Sequence, residues 1–262
     1  MNSNFHTFVI AAYGESPYLE DCIRSLKGQT RPSPILCVTS TPGPKLQALL
    51  DRYGIPLIVR EGESGIGADW NFALAAADSL FVTIAHQDDC YGKHYTEELH
   101  RAYEAWPDMT LFCTDAVLLR HGKRQYMSPM EAVKLLLRLP LRWKGYADRT
   151  GIKRLVLRFG NPIMCPSCAY RRNVLPRPFF REDLRFALDW DCLIRLADRE
   201  GRWICAEKPL LCYRVHDGAA TARCLQDHSR EREEADMFAK FWPGLLVRLL
   251  MKGYRQAYGN YR

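Results

Sequence analysis

Residues 80–89 read Leu-Phe-Val-Thr-Ile-Ala-His-Gln-Asp-Asp, an apolar run broken only by Thr83 and closed by two adjacent carboxylates. Short apolar runs bounded by polar residues fit buried strands. Adjacent acids at a strand end repel each other unless something positive offsets them. Three similar runs come before it, His6–Ala12, Pro34–Thr39 and Pro56–Val59. Helical stretches lie between them. Pro17–Lys27 places Leu19, Cys22, Ile23 and Leu26 on one face, with Ser16 as its cap; Lys45–Tyr53 and Ala68–Ala77 follow, the last after the glycine-bearing loop Glu61–Gly67. This alternation predicts βαβ units and an α/β fold, a mostly parallel central sheet flanked by helices. The near-continuous apolar strands predict cover on both faces. Such sheets bind ligands beyond the carboxyl ends of their strands. That rule singles out Tyr13–Glu15, Thr39–Thr41, Arg60–Gly62 and His86–Asp89.

The second half is less regular. A helix is expected over Tyr95–Ala105, a strand over Thr110–Thr114, a further strand and turn over Asp115–Gln125, and a helix over Asp189–Glu200. The chain has 262 residues, 47% of them apolar and 26% charged, which excludes a largely disordered chain. No stretch is long and apolar enough to predict a membrane span, and the polar start does not read as a signal peptide. Ten cysteines are scattered along the chain, which fits small hydrophobes in a reducing cytoplasm. Cys165-Pro-Ser-Cys168 has the spacing of half a zinc site or a redox pair, but no second pair accompanies it.

The formal charge of +7 is concentrated. Between Arg120 and Arg158 stand eleven Lys or Arg against Glu131 and Asp148. A second basic piece holds Lys240, Arg248, Lys252, Arg255 and Arg262, with no acid after Asp236. Val133–Trp143 and Phe241–Met251 alternate apolar clusters with cations. Such segments suit an anionic membrane surface, an anionic partner, or a helix packed on the domain with a solvated basic face. No nucleic-acid-binding motif accompanies the charge, so no nucleic-acid partner is expected.

Five segments, in order, resemble the inverting family 2 glycosyltransferases. Phe8–Glu15 with Tyr18–Thr30, which ends in Ser-Leu-Lys-Gly-Gln-Thr, resembles that family's opening strand and first helix. Gly67-Ala-Asp-Trp-Asn71 resembles the segment before its Asp-x-Asp strand. Gln87-Asp-Asp89 is similar to its metal motif, in the variant of rhamnosyltransferase-like members. Leu188–Ala197 resembles its second acidic motif, and Tyr213–Thr221 its C-terminal Tyr-Arg-x-His segment.

The resemblance implies a GT-A fold over residues 1–222. Its nucleotide-sugar half would be 1–115 and its acceptor half 116–222, with the basic insert 120–158; 223–262 would form a basic amphipathic helical extension. It implies transfer of a sugar from a UDP- or dTDP-sugar to a glycan hydroxyl, in bacterial cell-surface polysaccharide assembly. The acceptor would be a glycan, free or lipid-linked, and the location the cytoplasm, peripheral on the inner membrane face. A divalent cation, Mn²⁺ or Mg²⁺, is the expected cofactor, with Asp88, Asp89 and His216 as candidate ligands. Either acid could instead hold the ribose or the donor sugar, and His216 could be structural.

By the same resemblance Asp189 is the base candidate. Asp191 is a helix-start carboxylate or an acceptor contact, and Arg214 lies near phosphate or acceptor, or simply on a strand edge. Ala12, Tyr13 and Glu15 would line the base and ribose, and Gln87 and Asp88 the nucleotide sugar. Asn71 would position a loop or touch the donor, and Trp70 suits the core. The family commonly has an acid after the second strand; here Thr39 or Ser40 must substitute. His86 and Leu188 also depart from the motifs. The Gln-x-x-Arg-Trp motif of processive synthases is not evident, which favours single-sugar transfer. Two rival readings are a nucleotidyltransferase, which would carry a basic glycine-rich loop after the first strand, and a degenerate sugar-nucleotide or glycan-binding module.

Overall fold

The computed structural model describes residues 5–120, 122–125, 129–216 and 229–257. The strands are β1 (His6–Ala12), β2 (Ile35–Thr39), β3 (Leu57–Val59), β4 (Phe81–His86), β5 (Cys90–Tyr91), β6 (Met109–Arg120), β7 (Lys123–Gln125), β8 (Ala169–Arg171) and β9 (Arg202–Val215). The helices are α1 (Leu19–Lys27), α2 (Pro44–Tyr53), α3 (Ile66–Ala76), α4 (Tyr95–Ala105), α5 (Pro129–Arg138), α6 (Thr150–Leu157), α7 (Leu188–Ala197), α8 (Ser229–Ala239) and α9 (Gly244–Ala257). One sheet runs β3-β2-β1-β4-β8-β6-β9-β5, with β7 paired to β6.

The first four strands are parallel, each reached through a helix. Beyond β4 the sheet is mixed: β8 is antiparallel to β4 and β6, and β5 to β9. Side chains of β1 alternate between the two cores. Val9 joins one cluster with Ile84, Leu111 and Trp203, while Phe8 and Ile10 join the other with Phe112 and Ile204. Both faces are therefore covered. Thr83 interrupts the apolar β4 because it is needed there. Its hydroxyl meets His6 Nε2 at 3.0 Å and Tyr95 Oη at 3.0 Å, and Tyr95 donates on to the Ser167 carbonyl at 3.1 Å. Burial pushes His6 down to about 3, so its imidazole is neutral in this chain of hydrogen bonds.

Three details differ from the sequence expectation. Helix α1 begins at Leu19 with Tyr18 as its N-cap residue; the Ser16 hydroxyl accepts from the Tyr18 N–H at 3.2 Å and donates to Asp88. The stretch 109–120 is one long strand, with register shifts against β9 around Asp115. The bulge turns the Asp115 carboxylate toward Arg138, which donates to it at 2.5 Å. The basic segment is not all surface: Lys153 is fully buried and donates to the carbonyls of Arg199 and Gly201, and Arg138 is nearly so.

Candidate active site

β4 delivers His86, Gln87, Asp88 and Asp89 to one end of the sheet, and β9 comes back beside them. Cys90 of β5 pairs with Cys212 of β9, so two residues on, β9 brings Arg214 and then His216 alongside Asp88. Asp88 Oδ2 lies 3.2 Å from His216 Nε2, and Asp88 Oδ1 accepts from the Ser16 hydroxyl. Both Asp88 and His216 remain partly open to solvent.

Asp89 turns the other way. Its carboxylate is 2% exposed; Oδ1 accepts from the Arg214 backbone N–H at 2.9 Å, and Oδ2 has no hydrogen-bond partner among the described residues. Burial, then the charge of Asp88, pushes Asp89 up to about 8. Its neighbour His86, stacked on Trp70 at 5.0 Å, is pushed down to about 4 by burial and is neutral. Of the expected ligands, Asp88 and His216 face each other, while Asp89 is turned into the interior. Among the described residues no group of three His, Cys, Asp or Glu could hold a metal ion. Asp88 and His216 do fit a cation whose remaining ligands come from substrate and water, since Mg²⁺-type sites commonly use one or two carboxylates plus phosphates.

Arg214 is held by contacts within the chain. It donates from Nε to the Asp88 carbonyl at 2.9 Å and from Nη2 to Asp21 at 3.2 Å, and it stacks on Tyr18 at 4.2 Å. It fixes the turn that separates the two acids. Gln87 acts likewise on the nucleotide side. Its amide accepts from the Tyr13 N–H at 3.2 Å and donates to the Tyr13 carbonyl at 2.9 Å, holding the 51%-exposed Tyr13 at the end of β1. Ala12 is buried beneath it, and Glu15 pairs with Lys45 on the surface at 2.8 Å.

Thr39 is buried and turned into its own loop, where it accepts from the Thr41 N–H at 3.0 Å. Ser40 is the open residue of the pair. It donates to Asp69 Oδ2 at 3.0 Å and meets Ser64 at 2.9 Å, and Asp69 also takes Arg60 Nε at 2.6 Å. Neither Asp69 nor Arg60 is given a role by the sequence. The signal was present: Asp69 stands inside the quoted Gly67–Asn71 motif, and Arg60 opens one of the strand-end segments. An acid does reach the end of β2, but from α3.

Asp189 is the second residue of α7. Oδ2 accepts from Asn161 Nδ2 at 3.0 Å and Oδ1 from the Trp190 N–H at 2.7 Å. Burial pushes Asp189 up to about 6, against the hydrogen bonds and the charge of Lys134, which favour the anion. It is thus a carboxylate that ionises just below neutrality, the range suited to a general base. Burial pushes the nearby Cys165 thiol up, and the charges of Asp189 and, last, Asp89 add to the effect. Trp70 stacks on His86 and contacts Phe180 edge-on at 5.1 Å.

Asp191 is turned inward in the first turn of α7. Its carboxylate is 1% exposed and both oxygens are taken, Oδ2 by Arg195 at 2.8 Å and Oδ1 by Lys240 at 2.5 Å. Asn71 is likewise spent on structure. It donates to the Phe180 carbonyl at 2.8 Å and accepts from the N–H groups of Phe179 and Phe180 at 3.1 and 2.9 Å, so it positions the loop. Residues 217–221 of the Tyr-Arg-x-His segment lie outside the described residues. Cys165 and Cys168 are buried free thiols, as a small-hydrophobe role requires.

The model of glycosyl transferase family 2 matches residues 7–177, well over half of the chain. The chain belongs to this family. It is a glycosyltransferase of GT-A fold, and solved structures agree on the fold. Staphylococcus aureus TarS 1–349 in complex with UDP-GlcNAc superposes with a TM-score of 0.64 at 15% identity, over 94% of this chain and 70% of that one. A mannosyltransferase, PcManGT from Pyrobaculum calidifontis, in complex with GDP-Man and Mn²⁺, gives 0.67 at 17% identity, over 95% and 70%. Glucosyl-3-phosphoglycerate synthase of Mycobacterium tuberculosis, with Mn²⁺, UDP and glucosyl-3-phosphoglycerate, gives 0.56 at 15% identity, over 87% and 77%. No curated protein matches the chain. Among the described residues no helix is long and apolar enough to cross a membrane.

Proposed function

We propose that this glycosyltransferase moves a single sugar, with inversion, from a UDP- or dTDP-sugar to a hydroxyl of a glycan acceptor. What supports the reading is two acids in unlike settings, taken here to serve one site. Asp88 is open and held between Ser16 and His216, while Asp189 is pushed up to about 6. A divalent cation, Mn²⁺ or Mg²⁺, held by Asp88 and His216 would offset the negative charge gathering on the departing nucleoside diphosphate. Ser16 and Arg214 orient the Asp88 carboxylate and its backbone before substrate arrives. Tyr13, held by Gln87, and Ser40, held by Asp69, are the groups at the nucleotide end. Asp189 accepts the proton of the attacking hydroxyl, and Asn161 fixes which oxygen lone pairs remain free to do so.

The acceptor is carried on a lipid at the inner membrane face, in assembly of a bacterial surface polysaccharide. The cationic segments and the exposed Leu136, Trp143, Leu245 and Leu249 support this setting. The family match sets the nucleotidyltransferase reading aside. A thermal-shift panel of UDP, dTDP, GDP and CDP with and without Mn²⁺ tests the donor class. Tm should rise with UDP or dTDP, and more so when Mn²⁺ is present. A panel with no shift, or a shift confined to GDP or CDP, would overturn the donor assignment.

A further inference from the structure

Glu233 lies on α8, far outside the segment the family model matches, and its carboxylate is 2% exposed. Oε1 accepts from the Arg185 N–H at 2.9 Å, and Oε2 accepts from the N–H groups of Phe186 and Ala187 at 2.8 and 2.9 Å. Those three amides form the turn that launches α7, with Ala187 as its N-cap residue and Asp189 two residues on. A helix start leaves backbone donors without partners, and buried donors need acceptors. One carboxylate meets the N-cap amide of Ala187 and the two amides before it, and its charge faces the positive end of the helix dipole.

Other contacts lock the same turn to α8. Trp190 packs edge-on against Phe238 at 5.0 Å, the Arg230 guanidinium lies 4.5 Å over Phe186, and Lys240 holds Asp191. From the opposite side, Asn71 and Gly67 of α3 hold residues 179–182. The turn is thus clasped between the nucleotide half and the C-terminal helices.

We infer that Glu233 is a positioning residue for the transfer reaction, fixing the turn Arg185–Ala187 and through it the place of Asp189. The inference rests on the reading of Asp189 as the base. A glutamine at this position presents one oxygen and one NH₂, so an N–H would face an N–H and the turn would shift. A displacement near 1 Å of a reacting group costs on the order of 100-fold in rate.

The test compares Glu233→Gln, Glu231→Gln and Asp189→Asn in the full chain, measuring kcat, donor KM and the pH profile. Glu231 is on the same helix but pairs outward with Arg255, so it controls for charge and helix stability. Glu233→Gln should lower kcat by about 10- to 100-fold with donor KM within about twofold, while Glu231→Gln is unchanged. The acid limb should also move down by roughly half a unit as water enters around Asp189. That carboxylate is otherwise faced by Lys134 from α5, Cys165 and Cys168 from the turn before β8, and Cys192 of α7. A Glu233→Gln enzyme with wild-type kcat, or with lowered kcat and an unmoved acid limb, overturns the positioning role while an inert Asp189→Asn leaves the base in place. Transfer surviving in Asp189→Asn overturns both. Hydrogen exchange on the wild-type chain checks the contact independently of any variant's folding: the amides of residues 185–187 should be as protected as those within α7, and fast exchange there overturns the proposal.

Discussion

At residues 88 and 89 the chain sets two carboxylates side by side, and the turn sends one outward and one inward. Arg214 separates them by donating to the backbone of one and lending its own N–H to the side chain of the other. Asp89 pays for its burial in pH dependence. Its folded pKa, about 8, stands above its unfolded value, so the folded state keeps a proton that the unfolded chain has lost. The stability it contributes is complete below the unfolded value and falls as pH rises toward about 8. Asp89→Asn has no such proton. Its stability relative to wild type should climb by about 1 kcal/mol per pH unit between pH 5 and 8 and then level off, measured by urea melts across that range. Asp189 has the opposite consequence for rate, because it must be ionised to act. In the wild type, kcat should fall about tenfold per unit as pH drops below about 6. Asp189→Asn should lose about 10²- to 10⁴-fold in kcat with donor affinity retained, as read by single-turnover kinetics and nucleotide titration.

Among the elements, α3 touches both His86, through Trp70, and the segment 179–182. Its second residue is glycine because a Cβ there would sit 2.7 Å from the Arg181 carbonyl and 2.9 Å from the Glu182 Cα. Neither is the far end of a flexible side chain, so the backbone itself must give way. Gly67→Ala should therefore cost about 1–3 kcal/mol in a denaturant melt and lower kcat along with it. Eight of the elements up to α4 were legible in sequence because apolar spacing alone sets them: β1, α1, β2, α2, β3, α3, β4 and α4 fall within two residues of the expected bounds. The Ser16 hydroxyl also donates to Asp88, 72 residues away, a contact no local rule registers. Likewise Asp191 and Arg214 read as candidate contacts in sequence because exposed and buried charges look alike there. Lys240 and Asp21, which occupy them, are distant along the chain.

Over the whole molecule the charge is uneven, and part of it is internal. Lys153 and Arg138 are spent on carbonyls and Asp115, leaving the outer cations of α5, α6 and α9 beside exposed leucines. Leu245 is 67% exposed and Leu249 57%, four residues apart on α9, with Arg248 and Lys252 between and beyond them. The chain should sediment with vesicles holding anionic lipid at low salt, and less so as salt rises. Replacing both leucines by glutamate should reduce that binding at least severalfold and leave Tm nearly unchanged, because neither side chain is in the core. Equal binding by the double variant would remove α9 from the membrane-facing surface.

The alternation of strands and helices in the first half, the cover on both faces of the sheet and the family were legible in local pattern, because hydrophobic period and short motifs act over a few residues; the long strand β9 was not. Which acid faces outward, which cation is spent inside, and that α8 caps the turn ahead of Asp189 were decided only by tertiary structure. Burial and hydrogen-bond partners are properties of neighbours in space. For residues 88, 89, 189 and 191 those neighbours come from parts of the chain that no spacing in the sequence connects.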